Sequence, residues 1–444
     1  MEDFVFKILM MLADFKYLAS TSLIICLIYI LCKSKRVYLL DFVCFRAPEY
    51  SRVPISSYLE HMDSLNPQTL EFQKKVIERS GIGNETYLPE GMSKLPYDKS
   101  FNSTIEEVEM VLFSITQQLF TTHKINPNSI DFLITNCSLT SPSPSLAAMI
   151  INKFGLRSNI KSYNLSGMGC SAGILSISLA KDLLKVHRYS TALVLSLESV
   201  TANLYQGKMK SMLLANCLFR MGGAGILLSN RKGCREKAKY ELSHVVRTNL
   251  GSRTSAYECV MQDLDDEGYI GVSLSRTILQ VAGDALRMNL ETLGVLVLPY
   301  SELIQYILAI AWKKILAPAK KRGPYIPNFK KAFHHFCIHA GGRAIIDTIK
   351  DNLKLTEIDV EASKMTLYRF GNTSSSSTWY SLSYQEAKGR VKKGDRIWQL
   401  AFGSGFKCNS AIWKCISEIK MDDSNAWFDR IDEYPVKVPD LHDD

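Results

Sequence analysis

The sequence lacks the cysteine spacing that structural zinc sites and disulfide frameworks require. Its 444 residues include eleven scattered cysteines, with no close CxxC pair and no Cys/His ladder. We therefore expect a reducing compartment and no structural metal. A strong charge imbalance is also missing, because 53 Lys and Arg are interspersed with 44 Asp and Glu, for a net charge of +9. This surplus suits an anionic ligand or a membrane surface and does not indicate nucleic-acid binding.

Short-period repeats are absent as well, which excludes a solenoid. Hydrophobic residues make up 46% of the chain and charged residues 22%, so most of it should be globular. The length allows two domains, or one large domain built from two similar halves.

One long apolar run lies near the N-terminus. Residues 17–32 (YLASTSLIICLIYILC) carry no charge and, at about 1.5 Å per residue, fall a little short of the ~30 Å hydrocarbon core of a bilayer. No signal-peptide cleavage pattern follows, so we expect a membrane anchor of one or two transmembrane spans within residues 1–36. Lys33, Lys35 and Arg36 come next, and the positive-inside rule then places the rest of the chain in the cytosol.

Two runs of alternating helix-like and strand-like segments predict an α/β fold. In the first run they cover residues 105–123, 131–138, 143–155, 160–165, 170–187 and 190–199. In the second they cover residues 332–339, 341–353, 376–389 and 395–405. Such alternation implies parallel strands covered by helices on both faces. We accordingly divide the chain into the anchor 1–36, a first half 37–325, a second half 326–420 and an acidic surface tail 421–444.

Between the two runs, residues 295–316 (VLVLPYSELIQYILAIAWKKIL) are strongly apolar and precede Lys320, Lys321 and Arg322. Such a segment forms either a core helix with a basic end or a helix that lies in a membrane interface. We favour the core helix up to Gln305 and the interfacial helix after it.

The motif NLSGMGCSAG places Cys170 where a strand gives way to a helix. Because the N–H groups and the dipole of a helix N-terminus favour negative charge, we expect a lowered thiol pKa. Ser171, Ala172 and Gly173 are small and leave room for a substrate or another backbone segment. On this motif alone, an unreactive structural cysteine is the commoner explanation.

Two motifs of the second half change that balance. FCIHAGGRAIID places His339 at a strand end, and RFGNTSSSSTWY places Asn372 at a turn before a hydroxyl-rich helix start. Each has an ordinary explanation by itself, a hydrogen-bonded core histidine and a turn-forming asparagine. With Cys170 they supply a thiol, an imidazole and a carboxamide next to strand ends, where α/β proteins gather their sites. The turn from Gly403 to Gly405 could add backbone N–H groups for an oxyanion.

These motifs, together with RSGIGNETYLPEG, ANCLFRMGGAG and GDRIWQLAFGSGFKCNSAIW, closely resemble the plant 3-ketoacyl-CoA synthases. Members of that family are the condensing enzymes of microsomal very-long-chain fatty acid elongation. The resemblance extends from the anchor to about Trp413. It implies a thiolase-like fold of two related βαβαβ halves in five αβαβα layers. It also implies a homodimer at the endoplasmic reticulum membrane, with a cytosolic catalytic domain and with the reductases and dehydratase of an elongase complex as partners.

The reaction implied by the resemblance is a decarboxylative Claisen condensation of an acyl-CoA with malonyl-CoA. The triad carries over to Cys170, which holds the acyl group as a thioester, and to His339 and Asn372, which donate hydrogen bonds to the enolate of decarboxylated malonyl-CoA. The product is a 3-ketoacyl-CoA extended by two carbons, and no metal or redox cofactor is required.

The chain departs from the family pattern at Tyr368, where a histidine is common. Tyrosine donates a hydrogen bond but carries no positive charge near neutral pH. The departure keeps open a second possibility, a catalytically silent member that acts as a membrane-bound partner of an active elongase. His244 and His335 match other family histidines, and we expect supporting hydrogen bonds from them rather than direct chemistry.

Two other thiol enzymes are rival interpretations. A papain-like protease has Cys, His and Asn in the same chain order, but its CGSCW-type signature is missing. A degradative thiolase pairs its nucleophile with a second cysteine, for which Cys408 is the nearby candidate. The presence of both His339 and Asn372 favours condensation instead.

Overall fold

The computed structural model describes residues 36–62, 67–93, 96–315 and 325–438. Residues 1–35, which hold the predicted anchor, lie outside these ranges. Within them, every helix is too short or too polar to cross a membrane.

The strands in chain order are β1 (Tyr38–Cys44), β2 (Phe132–Asn136), β3 (Lys161–Leu165), β4 (Thr191–Glu198), β5 (Gly222–Ser229), β6 (Tyr240–Asn249), β7 (Val260–Leu264), β8 (Ile270–Leu274), β9 (His335–Ile338), β10 (Arg396–Gly403) and β11 (Lys407–Cys415). The helices are α1 (Ile55–Met62), α2 (Pro67–Ser80), α3 (Glu90–Ser93), α4 (Phe101–Thr122), α5 (Leu146–Phe154), α6 (Ala172–Val186), α7 (Lys210–Leu218), α8 (Cys234–Lys237), α9 (Thr254–Tyr257), α10 (Ile278–Val297), α11 (Tyr300–Ile315), α12 (Arg343–Leu353), α13 (Glu357–Phe370) and α14 (Ser377–Ala387).

Nine strands form a continuous sheet in the order β3-β2-β4-β5-β1-β6-β11-β10-β9, and β7 and β8 form a separate hairpin. Strand β2 is parallel to β3 and β4, and β9 is parallel to β10. Strands β5, β1, β6 and β11 pair in antiparallel fashion. In the middle of the sheet, β1 and β6 share only two residue pairs, Tyr38 with Glu241 and Leu39 with Tyr240. The sheet therefore consists of two strand groups that meet along this short β1–β6 pairing. The first group is β3-β2-β4-β5-β1, and the second group is β6-β11-β10-β9.

Two helices lie between these strand groups. Helix α6 contacts β2 and β4 of the first group and also β6 and β11 of the second, while α14 contacts β1, β5, β9 and β10. Helices α4 and α5 pack mainly on strands of the first group, and α10 and α13 pack mainly on strands of the second. The layers therefore follow the predicted αβαβα order. Strands β2 and β4 are buried at every residue because helices cover both of their faces.

The predicted alternation of helices and strands corresponds to real elements in both runs. Ser145 caps α5 by accepting a hydrogen bond from the Ala148 N–H, and Gly155 ends it in the left-handed conformation with φ of 60°. Strand β6 alternates between more buried and more exposed residues, but it was not predicted because polar His244 and Thr248 stand at the more buried positions and apolar Val245 at a more exposed one.

The expectation of a surface tail after residue 420 is wrong for Trp427 and Tyr434, which are buried. Trp427 is fully buried, with ring centroids 5.0 Å from Phe370, 4.8 Å from Tyr384 and 5.0 Å from Tyr434. Its indole N–H donates to the Tyr380 carbonyl at 3.0 Å. The acidic composition concealed these anchors, which hold the segment against α13 and α14.

Residues 295–315 of the apolar segment belong to two helices rather than one, because α10 ends at Val297 and α11 begins at Tyr300, just after Pro299. Exposed apolar side chains begin already at Val295, which is 71% exposed. The expectation of a core helix up to Gln305 is therefore wrong in part. The exposed apolar side chains of α11 are Ile304, Ile307, Leu308, Ile310 and Trp312.

The first turn of α11 is fastened to the body of the protein by Glu302. This buried carboxylate accepts hydrogen bonds from Lys331 Nζ at 2.6 Å, Tyr325 Oη at 2.8 Å and the Asn328 N–H at 2.9 Å. The contact with Lys331 in particular lowers the pKa of Glu302 to about 2. The helix is thus anchored at its start while its apolar face stays exposed.

Candidate active site

Cys170, His339 and Asn372 line one chamber of about 340 Å³. Cys170 comes from the turn before α6, His339 from the end of β9, and Asn372 from the loop between α13 and α14. The fold thus brings together three residues that lie far apart in the chain, as their positions next to strand and helix ends predicted.

The Cys170 turn packs directly against the glycine turn that follows β10. Gly169, at φ of 66°, has no side chain to collide with the Ser404 amide. A Cβ atom on Gly403 would lie 2.5 Å from Ser171 Oγ and 2.8 Å from the Met168 carbonyl oxygen. These two glycines are therefore needed for the close approach. Gly403 and Gly405 also line the chamber, in agreement with their predicted position.

The expected lowering of the Cys170 pKa is wrong. Burial raises the pKa of Cys170 to about 12, and the nearby Glu198 adds to the rise, although a hydrogen bond with the Ser374 hydroxyl works against it. Because Cys170 lies in a 3-10 turn before α6 begins, the helix dipole does not offset the loss of hydration. The thiol is therefore protonated at neutral pH, and a reaction at its sulfur requires a proton acceptor.

His339 is almost completely buried and is held from two sides. Its ring Nδ1 lies 2.6 Å from Ser377 Oγ, at the start of α14, and its backbone N–H donates to the Leu400 carbonyl at 2.8 Å. A Cβ atom on Gly341 would lie 3.0 Å from Nε2, so the glycine leaves that edge of the ring open. Burial lowers the pKa of His339 to about 4, and the imidazole is neutral near pH 7.

Asn372 is fixed through both its side chain and its backbone. Its Nδ2 donates to the Gly341 carbonyl at 3.4 Å, and its Oδ1 accepts the Ser374 N–H at 2.9 Å. The Asn372 N–H donates to the Leu218 carbonyl at 2.9 Å, and its own carbonyl accepts the Arg220 N–H at 3.0 Å. The motif ANCLFRMGGAG therefore acts as the backbone support of the asparagine turn.

Tyr368 does not line the chamber. Its ring packs edge-on against Tyr434, at 6.3 Å between centroids, and a Cβ atom on Gly83 would lie 2.5 Å from it. The residue therefore fills space on the far side of α13 instead of taking part in the site.

His244 and His335 also lie outside the chamber. The Nε2 atom of His335 is 2.8 Å from Asp395 Oδ2, at the start of β9, and His339 follows the other end of that strand. His244 pairs with Ile412 across β6 and β11, and its pKa is lowered by burial and then by Arg396 and two lysines.

Glu198 and Ser374 are among the polar residues of the chamber that sequence reasoning missed. Glu198 ends the buried strand β4 and is only 3% exposed. The sequence did contain a signal for Glu198, because a carboxylate at the end of an apolar buried strand is rare unless it has a binding partner. Ser374 was hidden in a run of four serines whose abundance suggested only helix capping.

The β7–β8 hairpin was missed as well. Its chamber-lining residues are Val260, Met261, Gln262, Val272 and Leu274. Further apolar lining comes from Leu218, Phe219, Ile278, Ile345, Phe402 and Phe406. Much of the chamber lining is therefore apolar, and the reactive groups enter the chamber from the turns.

Cys408 is fully buried in the hydrophobic core on the second strand group and does not line the chamber. It is therefore in no position to pair with Cys170 as the second cysteine of a degradative thiolase.

Two family models match the chain. A model described as FAE1/Type III polyketide synthase-like protein matches residues 29–315, and one described as the C-terminal part of 3-oxoacyl-(acyl-carrier-protein) synthase III matches residues 330–415. Among curated proteins of Arabidopsis thaliana, 3-ketoacyl-CoA synthase 7 is 55% identical over 403 residues, which cover 90% of this chain and 87% of that protein. 3-Ketoacyl-CoA synthase 5 is 52% identical over 429 residues, with 96% and 87% covered.

Solved structures of low sequence identity share the fold. The C-terminal type III polyketide synthase domain of Steely1 from Dictyostelium has a TM-score of 0.66 at 18% identity and covers 86% of this chain and 100% of that one. The 1,3,6,8-tetrahydroxynaphthalene synthase of Streptomyces coelicolor A3(2) has a TM-score of 0.65 at 19% identity, with 86% and 99% covered.

Proposed function

The chain belongs to the 3-ketoacyl-CoA synthase family, and from this premise we propose that it condenses a long-chain acyl-CoA with malonyl-CoA. The products are a 3-ketoacyl-CoA two carbons longer, CO2 and CoA. The observation that carries the proposal is the meeting of Cys170, His339 and Asn372 in one chamber with a largely apolar lining. The thiol supplies a nucleophile, the neutral imidazole and the carboxamide supply N–H donors, and the apolar lining suits an acyl chain.

In the first half of the reaction, the Cys170 thiolate attacks the thioester carbon of the acyl-CoA. The C–S bond to CoA breaks, and the acyl group stays on the enzyme as a Cys170 thioester. The oxyanion formed during attack needs donors already in place, which the backbone N–H groups of the Cys170 turn and of the Gly403 to Gly405 turn can provide.

In the second half, malonyl-CoA loses CO2 and leaves an enolate on its thioester. Ser377 bound to Nδ1 is compatible with a proton on Nε2 of His339, which can then donate to the enolate oxygen. Asn372 has a second Nδ2 hydrogen free for the same oxygen when the first is directed at Gly341. The enolate carbon then attacks the acyl thioester and releases Cys170. The overall reaction takes up one proton, which ends on the released CoA sulfur, and it involves no net oxidation or reduction, so no redox cofactor is needed.

The finer parts of the proposal concern location and partners. A cytosolic catalytic body at the endoplasmic reticulum membrane is supported by the uncharged run at residues 17–32 with its following basic residues, and by the exposed apolar face of α11. The 3-keto product calls for reduction, dehydration and a second reduction before another round, which supports reductases and a dehydratase as partners. The homodimer is proposed from family membership.

The silent-partner alternative loses its main support. It depended on Tyr368 in place of a histidine, and that side chain lies outside the chamber. All three predicted triad residues line the chamber, which favours an active enzyme.

The test is conversion of a long-chain acyl-CoA and labelled malonyl-CoA to 3-ketoacyl-CoA by membranes that contain the full chain. We expect product from the wild type and none above background from Cys170→Ala, because the acyl group then has no nucleophile to accept it. Cys408→Ala is the matched control, since it removes a thiol outside the chamber, and it should retain activity. Equal product from wild type and Cys170→Ala would refute the triad.

A further inference from the structure

Glu198 is a buried carboxylate in the wall of the chamber for which the mechanism above has no use. It ends β4 and is only 3% exposed. Its Oε1 accepts hydrogen bonds from the Leu139 N–H at 2.9 Å, the Ser138 N–H at 3.0 Å and the Cys137 thiol at 3.2 Å. Its Oε2 accepts the Ser374 hydroxyl at 3.1 Å. The carboxylate is thus held firmly, with one oxygen directed at Ser374.

Ser374 stands between this carboxylate and the nucleophile. Its hydroxyl donates to Glu198 Oε2 and also acts on Cys170, whose pKa it lowers, and both Ser374 and Cys170 line the chamber. The residue has φ of 53°, a left-handed conformation that is unfavourable for serine, and Asn372 Oδ1 holds its N–H at 2.9 Å. Strain of this kind persists where the surrounding structure imposes it. Here the strained backbone of Ser374 places its hydroxyl between the Glu198 carboxylate and the Cys170 thiol.

A hydroxyl has one hydrogen to donate, so Ser374 donates either to Glu198 or to Cys170 at any moment. When it donates to the Glu198 carboxylate, its lone pair is free to accept the Cys170 S–H. When Glu198 is protonated and donates to Ser374, the hydroxyl is free to donate to a Cys170 thiolate. The two arrangements differ only in the position of two protons along one path.

We propose that Glu198 is the proton acceptor that activates Cys170 and that the Ser374 hydroxyl relays the proton. The Cys170 S–H bond breaks and its proton passes to Ser374 Oγ, while the original hydroxyl proton passes to Glu198 Oε2. The result is a thiolate, an intact serine and a neutral carboxylic acid, with no net change of charge. After acyl transfer, Glu198 returns the proton to the departing CoA sulfur. The inference rests on the proposed role of Cys170 as nucleophile.

Electrostatics favours transfer of the Cys170 proton to Glu198 over its transfer to His339. His339 is a poor acceptor, because burial has already lowered its pKa to about 4. Burial raises the pKa of Glu198, which brings its proton affinity closer to that of the thiol. Transfer to Glu198 moves a single negative charge within the chamber, whereas loss of the proton to solvent would leave two anions close together at low dielectric.

The test is the rate at which iodoacetamide alkylates Cys170 in the full-length protein at pH 7.5, followed by mass spectrometry of the Cys170 peptide. Glu198→Gln keeps the size of the side chain but removes the base, and we expect alkylation to slow by roughly tenfold or more. If Glu198 were merely an anion beside the thiol, loss of its charge would favour the thiolate and speed the reaction. A rate equal to or above that of the wild type would therefore overturn the proposal.

Glu107→Gln is the matched control. Glu107 is as deeply buried as Glu198 and accepts similar donors, the Ser199 hydroxyl at 2.8 Å and the Val200 and Thr201 N–H groups at 2.9 Å, but it does not line the chamber. We expect the wild-type alkylation rate from this variant. A slowdown equal to that of Glu198→Gln would show a structural effect and overturn the relay.

Ser374→Ala tests the relay itself, because it keeps the charge on Glu198 and removes only the hydroxyl. We expect the slow rate of Glu198→Gln, and a double variant no slower than either single variant. A wild-type rate for Ser374→Ala would refute the proposal even if Glu198→Gln failed to fold. Because the assay uses neither substrate, normal alkylation in a wild type that forms no 3-ketoacyl-CoA would count against the proposed function instead.

Discussion

At the scale of single residues, the departure from the family pattern at Tyr368 is expected to have no catalytic effect. The side chain packs on Tyr434 and Gly83 outside the chamber. We therefore expect Tyr368→His to leave kcat unchanged and to lower the free energy of unfolding by roughly 1 kcal/mol through lost ring contacts. Steady-state condensation kinetics and a denaturant titration measure the two effects. A fall in kcat without loss of stability would show that the ring reaches the chemistry.

The chemistry of Cys170 shows why some residue properties escape a sequence. A strand-to-helix turn predicts a charged sulfur, but the sign of the pKa shift depends on how closely the protein encloses the thiol. Gly169, Gly173 and Gly403 allow three backbone segments to pack around it, and burial then outweighs the helix dipole. The identity and meeting of the triad residues were predictable, whereas Glu198 and Ser374 depend on contacts between distant segments.

At the scale of elements, the β7–β8 hairpin is expected to limit the length of the acyl chain. Val272 is buried and is part of the apolar lining of the chamber. We expect Val272→Trp to reduce the space there, so that kcat/KM falls more for longer acyl-CoA substrates than for shorter ones. A chain-length series of acyl-CoA substrates measures the change.

Leu264→Trp is the matched control for the hairpin, because Leu264 is exposed at its far end and does not line the chamber. It should keep the chain-length profile of the wild type. A parallel fall of kcat/KM for all chain lengths in Val272→Trp would show that the hairpin has another role, such as closing the chamber.

Helices and strands with a strong apolar pattern in their own sequence were predictable, while those without such a pattern were not. Buried parallel strands such as β2 and β4 and long helices such as α4 carry their own signal in a run of apolar residues. The antiparallel strand β6 has polar residues at its more buried positions, and strands β7 and β8 are only partly buried, so none of the three shows the apolar run of a buried strand.

At the scale of the whole molecule, the two strand groups share helices that also carry the site. Helix α6 begins next to Cys170 and α14 begins with Ser377, the partner of His339, and each helix contacts both groups. The C-terminal aromatic cluster around Trp427 packs on Phe370 and Tyr384, at the end of α13 and in α14. The site is therefore positioned by the packing of both halves and not by either half alone, which a motif search does not reveal.

The exposed apolar face of α11 leads to a prediction about the whole molecule at a membrane. Of the five tryptophans, Trp312 is 59% exposed, whereas Trp379, Trp398, Trp413 and Trp427 are at most 1% exposed. If this face enters the bilayer interface, bromine-labelled phosphatidylcholine should quench the fluorescence of Trp312 but not of the buried rings.

The measurement compares the full chain reconstituted in vesicles with and without brominated lipid. We expect clear quenching for the wild type and little for Trp312→Phe, which keeps an apolar ring on the face but removes its reporter. Ile307→Glu together with Leu308→Glu should reduce the quenching, because buried carboxylates would be costly in the interface. Equal quenching in wild type and Trp312→Phe would show that α11 does not touch lipid, and its apolar face would then have to be covered by protein.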